Sequence, residues 1–254
     1  MRGGIISKGP DPAFPFLSEY ERFLFPPPEK AKHDSIIACG GNLSPGMLLS
    51  AYEQGLFPWF SEGDPIIWHS TDPRFVIFPE KLHVSLSMKK ILKRKEFKIT
   101  LDRDFPGVIA SCSQIERPGQ GGTWITSDMI AAYTELHLLG WAHSAEAYFE
   151  GELVGGCYGI CLGNIFFGES MFARKTNASK AAFLTLARLL FDEGFILIDC
   201  QQHTRHLESM GGEEISRMKY ITLLRETLDL RPYGDSADRR GNWGQLFSNH
   251  DIGV

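Results

Sequence analysis

The most constraining feature of this sequence is a pair of apolar runs, at residues 153–162 and 165–171, separated only by Gly163 and Asn164. A Gly-Asn pair tolerates the positive φ angles that tight turns between antiparallel strands require. The two runs are therefore predicted to form a central β-hairpin.

A helix and a further strand are predicted after this hairpin. Beyond a polar loop at residues 173–177, apolar residues recur with helical spacing from about Ser179 to Glu193. Gly194 stands where a glycine that ends a helix is expected. The short apolar run at residues 195–199 then suits a buried strand.

Acidic and amide side chains occur at the ends of two of the predicted strands. Glu169 lies in a Gly-Glu-Ser segment, Asp199 ends the run at residues 195–199, and Gln201 follows two residues later. Functional sites of open α/β sheets collect near strand ends, so these side chains are predicted to line one cleft. Residues two apart on an extended segment share a face, so Asp199 and Gln201 should face one side and Cys200 the other. The alternative for Glu169 is a structural carboxylate that binds a backbone group or an arginine.

The earlier part of the chain predicts a small N-terminal domain, residues 1–72, before a larger domain, residues 73–254. Its first 35 residues are rich in proline and aromatic residues, which indicates an extended surface arm. Ser44-Pro45 is typical of a helix start. The other predicted elements are strands at 74–79, 98–101 and 143–149, helices after Ser85, Ser127 and Ser216, a helix at 105–113, and a partly ordered tail at 231–254.

The composition is that of a water-soluble globular protein. The chain has 254 residues, 43% of them hydrophobic, and a net charge of −5, which argues against general polyanion binding but not against a local basic face. Five scattered cysteines favour reduced thiols and a cytoplasmic location over a disulfide framework. The early residues lack an apolar signal core, and no apolar run is long enough to span a membrane.

A basic cluster and two tryptophans are candidate nucleic-acid contacts. The cluster lies at residues 88–98 and includes Lys89, Lys90, Lys93 and Arg94. Such a run is commonly a solvated helix face, but in an acidic protein it is also a candidate phosphate-binding patch. Trp59 and Trp124 fall in predicted loops, where a tryptophan either covers the core or stacks on a nucleobase.

Three other kinds of site are disfavoured by the spacing. His203 and His206 resemble half of a metal ligand set, but no third ligand has a suitable spacing. The glycines of the hairpin do not form the Gly-x-Gly-x-x-Gly pattern of a nucleotide-binding turn. Cys200 would need a base and an electropositive setting to act as a nucleophile.

Nine short segments, taken together and in order, closely resemble the bacterial leucyl/phenylalanyl-tRNA–protein transferase family. The resemblance spans roughly residues 35–228. The matching segments are Gly-Gly-Asn-Leu-Ser-Pro at 40–45, Gly-Leu-Phe-Pro-Trp-Phe at 55–60, Asp-Pro-Arg at 72–74, Gly-Thr-Trp-Ile at 122–125, Ala-His-Ser at 142–144, Gly-Glu-Leu-Val-Gly-Gly at 151–156, Gly-Glu-Ser-Met-Phe at 168–172, Asn-Ala-Ser-Lys at 177–180 and Ile-Asp-Cys-Gln at 198–201.

The resemblance implies an α+β fold, with a small N-terminal domain and a C-terminal domain like that of GNAT-type acetyltransferases, built on a mixed, mostly antiparallel sheet. It implies transfer of Leu or Phe from Leu-tRNA or Phe-tRNA to the N-terminal Arg or Lys of a protein, which marks that protein for degradation. An ester becomes an amide in this reaction, so neither a cofactor nor a metal is expected.

The resemblance also implies roles for individual residues. Trp59 and Trp124 would flank the terminal adenosine of the tRNA, and Glu169 would hold the aminoacyl-adenosine end. Asp199 and Gln201 would position the acceptor amine and help to deprotonate it. The pocket for the Leu or Phe side chain would be lined by Cys157, Phe166, Met171 and Leu186.

Some positions depart from the family pattern, and two other functions compete with this one. His69 and Thr71 stand where a tryptophan and a proline are frequent, Phe167 stands where a cysteine is common, and Cys157 replaces a larger residue. The first alternative function is an acyl-CoA-dependent N-acyltransferase, for which the sequence lacks a glycine-rich pyrophosphate loop. The second is a non-catalytic RNA-binding module that uses the basic cluster, which would leave Glu169 and Asp199 unexplained.

Overall fold

A computed structural model describes residues 9–31, 35–115 and 123–229, together with Trp243. Its strands are β1 (Ile36–Cys39), β2 (Phe57–Pro58), β3 (Ile67–His69), β4 (Arg74–Ile77), β5 (Lys98–Leu101), β6 (Ala142–Phe149), β7 (Glu152–Leu162), β8 (Ile165–Ala173), β9 (Leu197–Asp199) and β10 (Glu213–Ile215). Its helices are α1 (Pro45–Glu53), α2 (Leu86–Lys93), α3 (Phe105–Ser113), α4 (Ser127–Leu138), α5 (Ala178–Asp192), α6 (Arg205–Glu208) and α7 (Arg217–Asp229).

The strands form two sheets. A seven-stranded sheet has the order β10-β4-β9-β8-β7-β6-β5, and every neighbouring pair is antiparallel except β8 and β9. A three-stranded sheet near the N-terminus has the order β1-β3-β2. These features confirm the α+β class with a mixed, mostly antiparallel sheet. The domain boundary between residues 72 and 73 stays a prediction, because one hydrophobic cluster contains residues from both sides of it.

The predicted central hairpin is formed by β7 and β8. Gly163 has a φ of 59°, and Leu162 pairs with Ile165 across the two-residue turn. Glu150 and Gly151, with φ angles of 51° and 87°, make a second tight turn between β6 and β7. The sequence explains the position of both turns, because Gly151 and Gly163 can adopt positive φ angles without steric strain.

Alternating side chains of the hairpin belong to two hydrophobic clusters, which lie on opposite faces of the sheet. On one face Tyr158, Ile160 and Phe167 pack with residues of α1, α3, α4 and α7. On the other face Cys157 and Phe166 pack with residues of α2 and α5. The sheet is therefore covered on both sides, which explains why its central strands are apolar throughout.

Two helix caps differ from the expectation. Ser44 precedes α1 but makes no side-chain cap; its hydroxyl donates to Oδ1 of Asn42 at 2.6 Å and accepts from the N–H of Leu17 at 3.1 Å. The cap of α4 is Thr126, not Ser127, with its hydroxyl accepting from the N–H of Met129. Ser85 and Ser216 cap α2 and α7 as predicted.

The short strands β1, β2, β3 and β10 were not predicted. In contrast, residues 9–31 follow the extended path predicted for the N-terminal arm, with a single 3-10 turn at Pro28–Lys30. Phe25 of this arm is buried against Trp68 at a centroid distance of 5.0 Å. The predicted tail at residues 231–254 lies outside the described residues, apart from Trp243. No helix in the described part of the chain has both the length and the hydropathy of a membrane span.

Gly159 of β7 provides a test of the hairpin packing. A Cβ atom at this position would lie 2.1 Å from the backbone oxygen of Phe167 and 2.6 Å from Cζ of Phe166. Gly159→Ala should therefore lower the free energy of unfolding by about 2 kcal/mol or more, measured by urea denaturation. Gly168→Ala is the matched control, because its nearest heavy atom is 3.7 Å away. Equal stability of the two variants would contradict this packing.

Candidate active site

One cavity of about 660 Å³ opens along the second half of β8, beside the end of β9. Glu169 therefore lies within β8 and not, as had been predicted, at the end of a strand, because β8 continues to Ala173. Trp59, after β2, and Trp124, before α4, both line it, as predicted for residues that share one site. Glu169 and Gln201 also line it. The parallel pairing of β8 and β9 stops at Phe167 and Asp199, and the turn that follows Asp199 brings Nε2 of Gln201 to 3.3 Å from Oε1 of Glu169.

Glu169 is bound by two buried tyrosines that the sequence did not connect with it. The hydroxyl of Tyr52, on α1, donates to Oε1 at 2.7 Å, and that of Tyr133, on α4, donates to Oε2 at 3.1 Å. Nε2 of Gln201 donates to Oε1 at 3.3 Å. All these partners are uncharged, so Glu169 is not paired with a cation in the way that the structural alternative suggested.

The environment of Glu169 makes its carboxyl a weaker acid than an exposed glutamate. Burial raises the pKa of this carboxyl to about 7, against the lowering effect of the two tyrosine hydrogen bonds. The hydroxyls of Tyr52 and Tyr133 also lie 2.5 Å from each other, so three contacts share only two hydroxyl protons. A proton on Glu169 completes the ring of three donors, which agrees with the raised pKa.

Asp199 lies outside the cavity lining and is fully buried in an ion pair. Its two carboxylate oxygens accept from Nε and Nη2 of Arg74 at 2.8 and 2.6 Å, from the hydroxyl of Tyr220 at 2.8 Å and from the N–H of Gln201 at 2.9 Å. Burial by itself would lower the pKa of Arg74, but Asp199 and Tyr220 hold it above its ordinary value. The hydrogen-bonding capacity of Asp199 is therefore used within the fold.

The prediction that Asp199 and Gln201 share a face is wrong. The strand β9 ends at Asp199, and Gln201 has a φ of 55°, so the chain turns instead of continuing as extended backbone. As a result Cys200 and Gln201 line the cavity and Asp199 does not. Burial raises the pKa of the Cys200 thiol well above its ordinary value, which agrees with the prediction against a nucleophilic cysteine.

Three of the four residues predicted for the amino-acid side-chain pocket line the cavity: Cys157, Phe166 and Met171. Leu186, on α5, is fully buried in the same hydrophobic cluster but is not part of the lining. Phe183, one turn earlier on α5, lines the cavity instead. The helical spacing placed both residues on the inner face of α5 and could not decide which of them reaches the cavity.

The basic cluster is exposed and separate from the cavity lining. Lys89, Lys90 and Lys93 lie on α2 and Arg94 ends that helix, all with exposed side chains. The structure therefore provides a charged face outside the cavity rather than charges inside it.

The two histidines considered as metal ligands are used differently. Nε2 of His203 lies 3.2 Å from Oε2 of Glu208. His206 lines the cavity, and both burial and the nearby Lys180 lower the pKa of its imidazole.

Within the described residues, a different group has the spacing of metal ligands: Asp102, His137 and His143. However, Nδ1 of His137 lies 2.8 Å from the carbonyl oxygen of Ala142, so this nitrogen carries a hydrogen and cannot itself bind a metal ion.

Comparisons with known proteins agree on one family. The family model described as leucyl/phenylalanyl-tRNA protein transferase matches residues 76–225, and that of its N-terminal domain matches residues 41–72. The transferase of Myxococcus xanthus is 50% identical over 227 residues, which are 89% of this chain and 94% of the relative. The transferase of Pseudomonas aeruginosa strain LESB58 is 51% identical over 215 residues, which are 84% of this chain and 95% of the relative.

Solved structures resemble the chain only weakly. A GCN5-related N-acetyltransferase-like protein from Streptococcus suis has a TM-score of 0.33 and 17% identity over 56% of this chain and 59% of its own. A score this low does not assign a fold.

The raised pKa of Glu169 predicts a pH dependence of stability. The folded pKa is about 7 and the ordinary value is 4.5, so the folded protein binds the proton more tightly than the unfolded chain does. The stability that this proton contributes is therefore lost as the pH rises towards 7 and is absent above it. Relative to Glu169→Gln, the wild-type free energy of unfolding should fall between about pH 5 and about pH 8, measured by urea denaturation. Parallel pH profiles would show that Glu169 titrates normally.

Proposed function

This chain belongs to the leucyl/phenylalanyl-tRNA protein transferase family, and we propose that its cavity holds the aminoacyl end of Leu-tRNA or Phe-tRNA for attack by the amine of an acceptor protein. It is an aminoacyltransferase, with an aminoacyl-tRNA and a protein as its substrates. The observation that carries the detailed proposal is the joint lining of one cavity by two tryptophans, an apolar slot and Glu169.

The two tryptophans would bind the terminal adenosine. Trp59 and Trp124 are half-buried, come from separate loops and line the same cavity. Stacking of a base on an aromatic side chain contributes about 1–3 kcal/mol and does not depend on base identity. Recognition of the terminal adenosine by stacking would leave the rest of the tRNA outside the cavity, where the basic face of α2 could contact it.

The Leu or Phe side chain would enter the apolar part of the cavity. Cys157, Phe166 and Met171 supply apolar walls. Such a slot rejects polar side chains, because they would lose their hydrogen bonds to water without replacement. It separates apolar side chains less sharply, since one methylene changes binding by only about 1–3 kcal/mol.

Glu169 is the best-placed proton acceptor for the attacking amine. The amine nitrogen must be neutral to attack the ester carbonyl carbon, whereas a free α-amine has a pKa near ~8. Glu169 faces the cavity with a pKa of about 7, which suits a general base near neutral pH. The new C–N bond forms, the ester C–O bond breaks, and the proton lost by the amine ends on the ribose oxygen of the leaving tRNA.

Asp199 would then be a positioning residue. Its carboxylate holds Arg74 and the N–H of Gln201 at 2.9 Å, so it stabilises the turn that brings Gln201 beside Glu169. Its enclosed position argues against direct contact with the acceptor amine.

The acceptor would carry an N-terminal Arg or Lys. Glu169 is the only acidic residue among the described residues that line the cavity, so an acceptor with two positive charges meets a carboxylate without a cationic partner. The transferred Leu or Phe would become a new N-terminus that marks the acceptor for degradation. An aminoacyl-tRNA donor also supports the predicted cytoplasmic location.

Transfer to peptides tests the function directly. The protein is incubated with radiolabelled Leu-tRNA and peptides that begin with Arg, Lys or Ser. Label should enter the Arg and Lys peptides but not the Ser peptide. Transfer from an acyl-CoA, or tRNA binding without transfer, would favour the two competing functions and refute the proposal.

Replacement of Glu169 should separate its role from that of Asp199. Glu169→Gln should lower kcat/KM for transfer by about 100-fold or more, the range for loss of a general base, while affinity for the tRNA is unchanged. Asp199→Asn should instead lower the thermal transition, because it leaves the Arg74 charge uncompensated in the interior. Wild-type transfer by Glu169→Gln would remove its role as proton acceptor.

Charge reversal on α2 should weaken binding of the tRNA body. Changing Lys89, Lys90 and Lys93 to Glu should lower affinity for whole Leu-tRNA and reduce the slope of log affinity against log salt by about 0.7–0.9 for each phosphate that the protein no longer neutralises. An aminoacyl-adenosine fragment, which lacks the tRNA body, is the control and should react as with the wild type. An unchanged salt slope would place the tRNA body on another face.

A further inference from the structure

A tryptophan near the end of the chain packs behind the cavity. Trp243 is only 4% exposed and belongs to the hydrophobic cluster between the sheet and α5. It lies beyond residue 225, where the match to the family model ends. Its ring therefore occupies an interior position that the motifs of the family do not account for.

A hydrogen bond and a ring contact orient Trp243. Its Nε1 donates to Oδ2 of Asp102 at 2.7 Å. Its ring stacks on His143 at a centroid distance of 4.0 Å and an angle of 17°. Asp102 also accepts from Nδ1 of His143 at 2.8 Å and from the N–H of Ser144 at 2.8 Å, so the acceptor of the indole is itself held by the start of β6.

The ring of Trp243 also faces a wall of the cavity. Phe166 is nearly parallel to it, at 16° and a centroid distance of 6.2 Å, and Phe166 lines the cavity. The Phe166 ring lies across Gly159 of β7, where even a Cβ atom would come within 2.6 Å of it. The Phe166 ring is therefore in contact with the backbone of β7, lies beside Trp243, and lines the cavity.

We propose that Trp243 is a specificity-determining positioning residue that sets the depth of the amino-acid pocket by limiting how far Phe166 can move away from it. The inference rests on the proposed function, in which Phe166 is a wall of the pocket for Leu or Phe. Trp243 acts through Phe166 and does not touch the substrate.

The direction of the effect follows from the packing. A buried tryptophan replaced by alanine leaves a space that neighbouring side chains partly fill. The Phe166 ring lies next to both that space and the pocket, so its retreat deepens the pocket. A deeper pocket favours the longer Phe side chain over Leu.

The test compares transfer from Leu-tRNA and Phe-tRNA by the full-length enzyme. Trp243→Ala should raise the ratio of kcat/KM for Phe-tRNA to that for Leu-tRNA by about threefold or more, within the range that pocket size produces. Trp243→Phe removes the N–H donor and part of the bulk, so it should shift the ratio less and in the same direction. The ratio does not depend on the folded fraction, so a loss of stability by itself leaves it unchanged.

Trp141→Ala is the matched control. Trp141 is 6% exposed and its Nε1 also donates to a carboxylate, Oε2 of Glu19 at 2.6 Å, but it does not line the cavity and belongs to the other cluster. This variant should lose stability and keep the wild-type ratio.

The outcomes separate this inference from the proposed function. An unchanged ratio in the Trp243 variants, or an equal shift in Trp141→Ala, would overturn the inference while transfer activity persists. If Trp243→Ala does not fold, Trp243→Leu and Trp243→Phe decide the matter on the same ratio. A wild-type enzyme inactive with both donors would instead overturn the proposed function and the assignment of Phe166 on which the inference rests.

Discussion

The rest of the site depends on the buried ion pair between Asp199 and Arg74. The Asp199 carboxylate also accepts hydrogen bonds from other segments of the chain. It joins β4 through Arg74, α7 through Tyr220 and the turn after β9 through the N–H of Gln201. Arg74 extends the network to the chain after α1, because Nη1 donates to the carbonyl oxygen of Gly55 at 3.2 Å. Breaking a buried ion pair of this kind by removing one partner costs about 3–5 kcal/mol. One carboxylate thus connects an inner strand, a C-terminal helix and the turn that builds the cavity.

The two acidic residues near the cavity are separated by their surroundings. Asp199 meets a guanidinium, which compensates its charge, whereas Glu169 meets the neutral hydroxyls of Tyr52 and Tyr133. Burial without a cation raises the pKa of Glu169 to about 7. These different environments suit the two carboxylates to the different tasks that we propose for them, one in holding the backbone and one in exchanging a proton.

Local signals allowed much of the fold to be predicted. The turn at Gly163-Asn164 was predicted because those residues accept positive φ. The strands β2, β3 and β10 have two or three residues each, which is too few to show the alternation of apolar and polar residues that indicates a strand. They can be recognised only from their hydrogen bonds to neighbouring strands. The caps of α1 and α4 could not be predicted, because they depend on contacts that the local sequence does not specify. The hydroxyl of Ser44 donates to Asn42 instead of capping α1, and Thr126 caps α4 in place of the adjacent Ser127.

The sequence by itself determined the family, the central hairpin and two polar residues of the cavity, Glu169 and Gln201, because these depend on short motifs and on the period of apolar residues. Only the tertiary structure decided how those residues are used. Glu169 is bound by tyrosines that are 117 and 36 residues away in the sequence. The turn at Gln201, which has a positive φ, places Cys200 and Gln201 in the cavity lining instead of Asp199. Trp243, behind Phe166, likewise has no local signal. Contacts between distant segments arise from packing in three dimensions, and a linear pattern does not specify which side chain completes a wall.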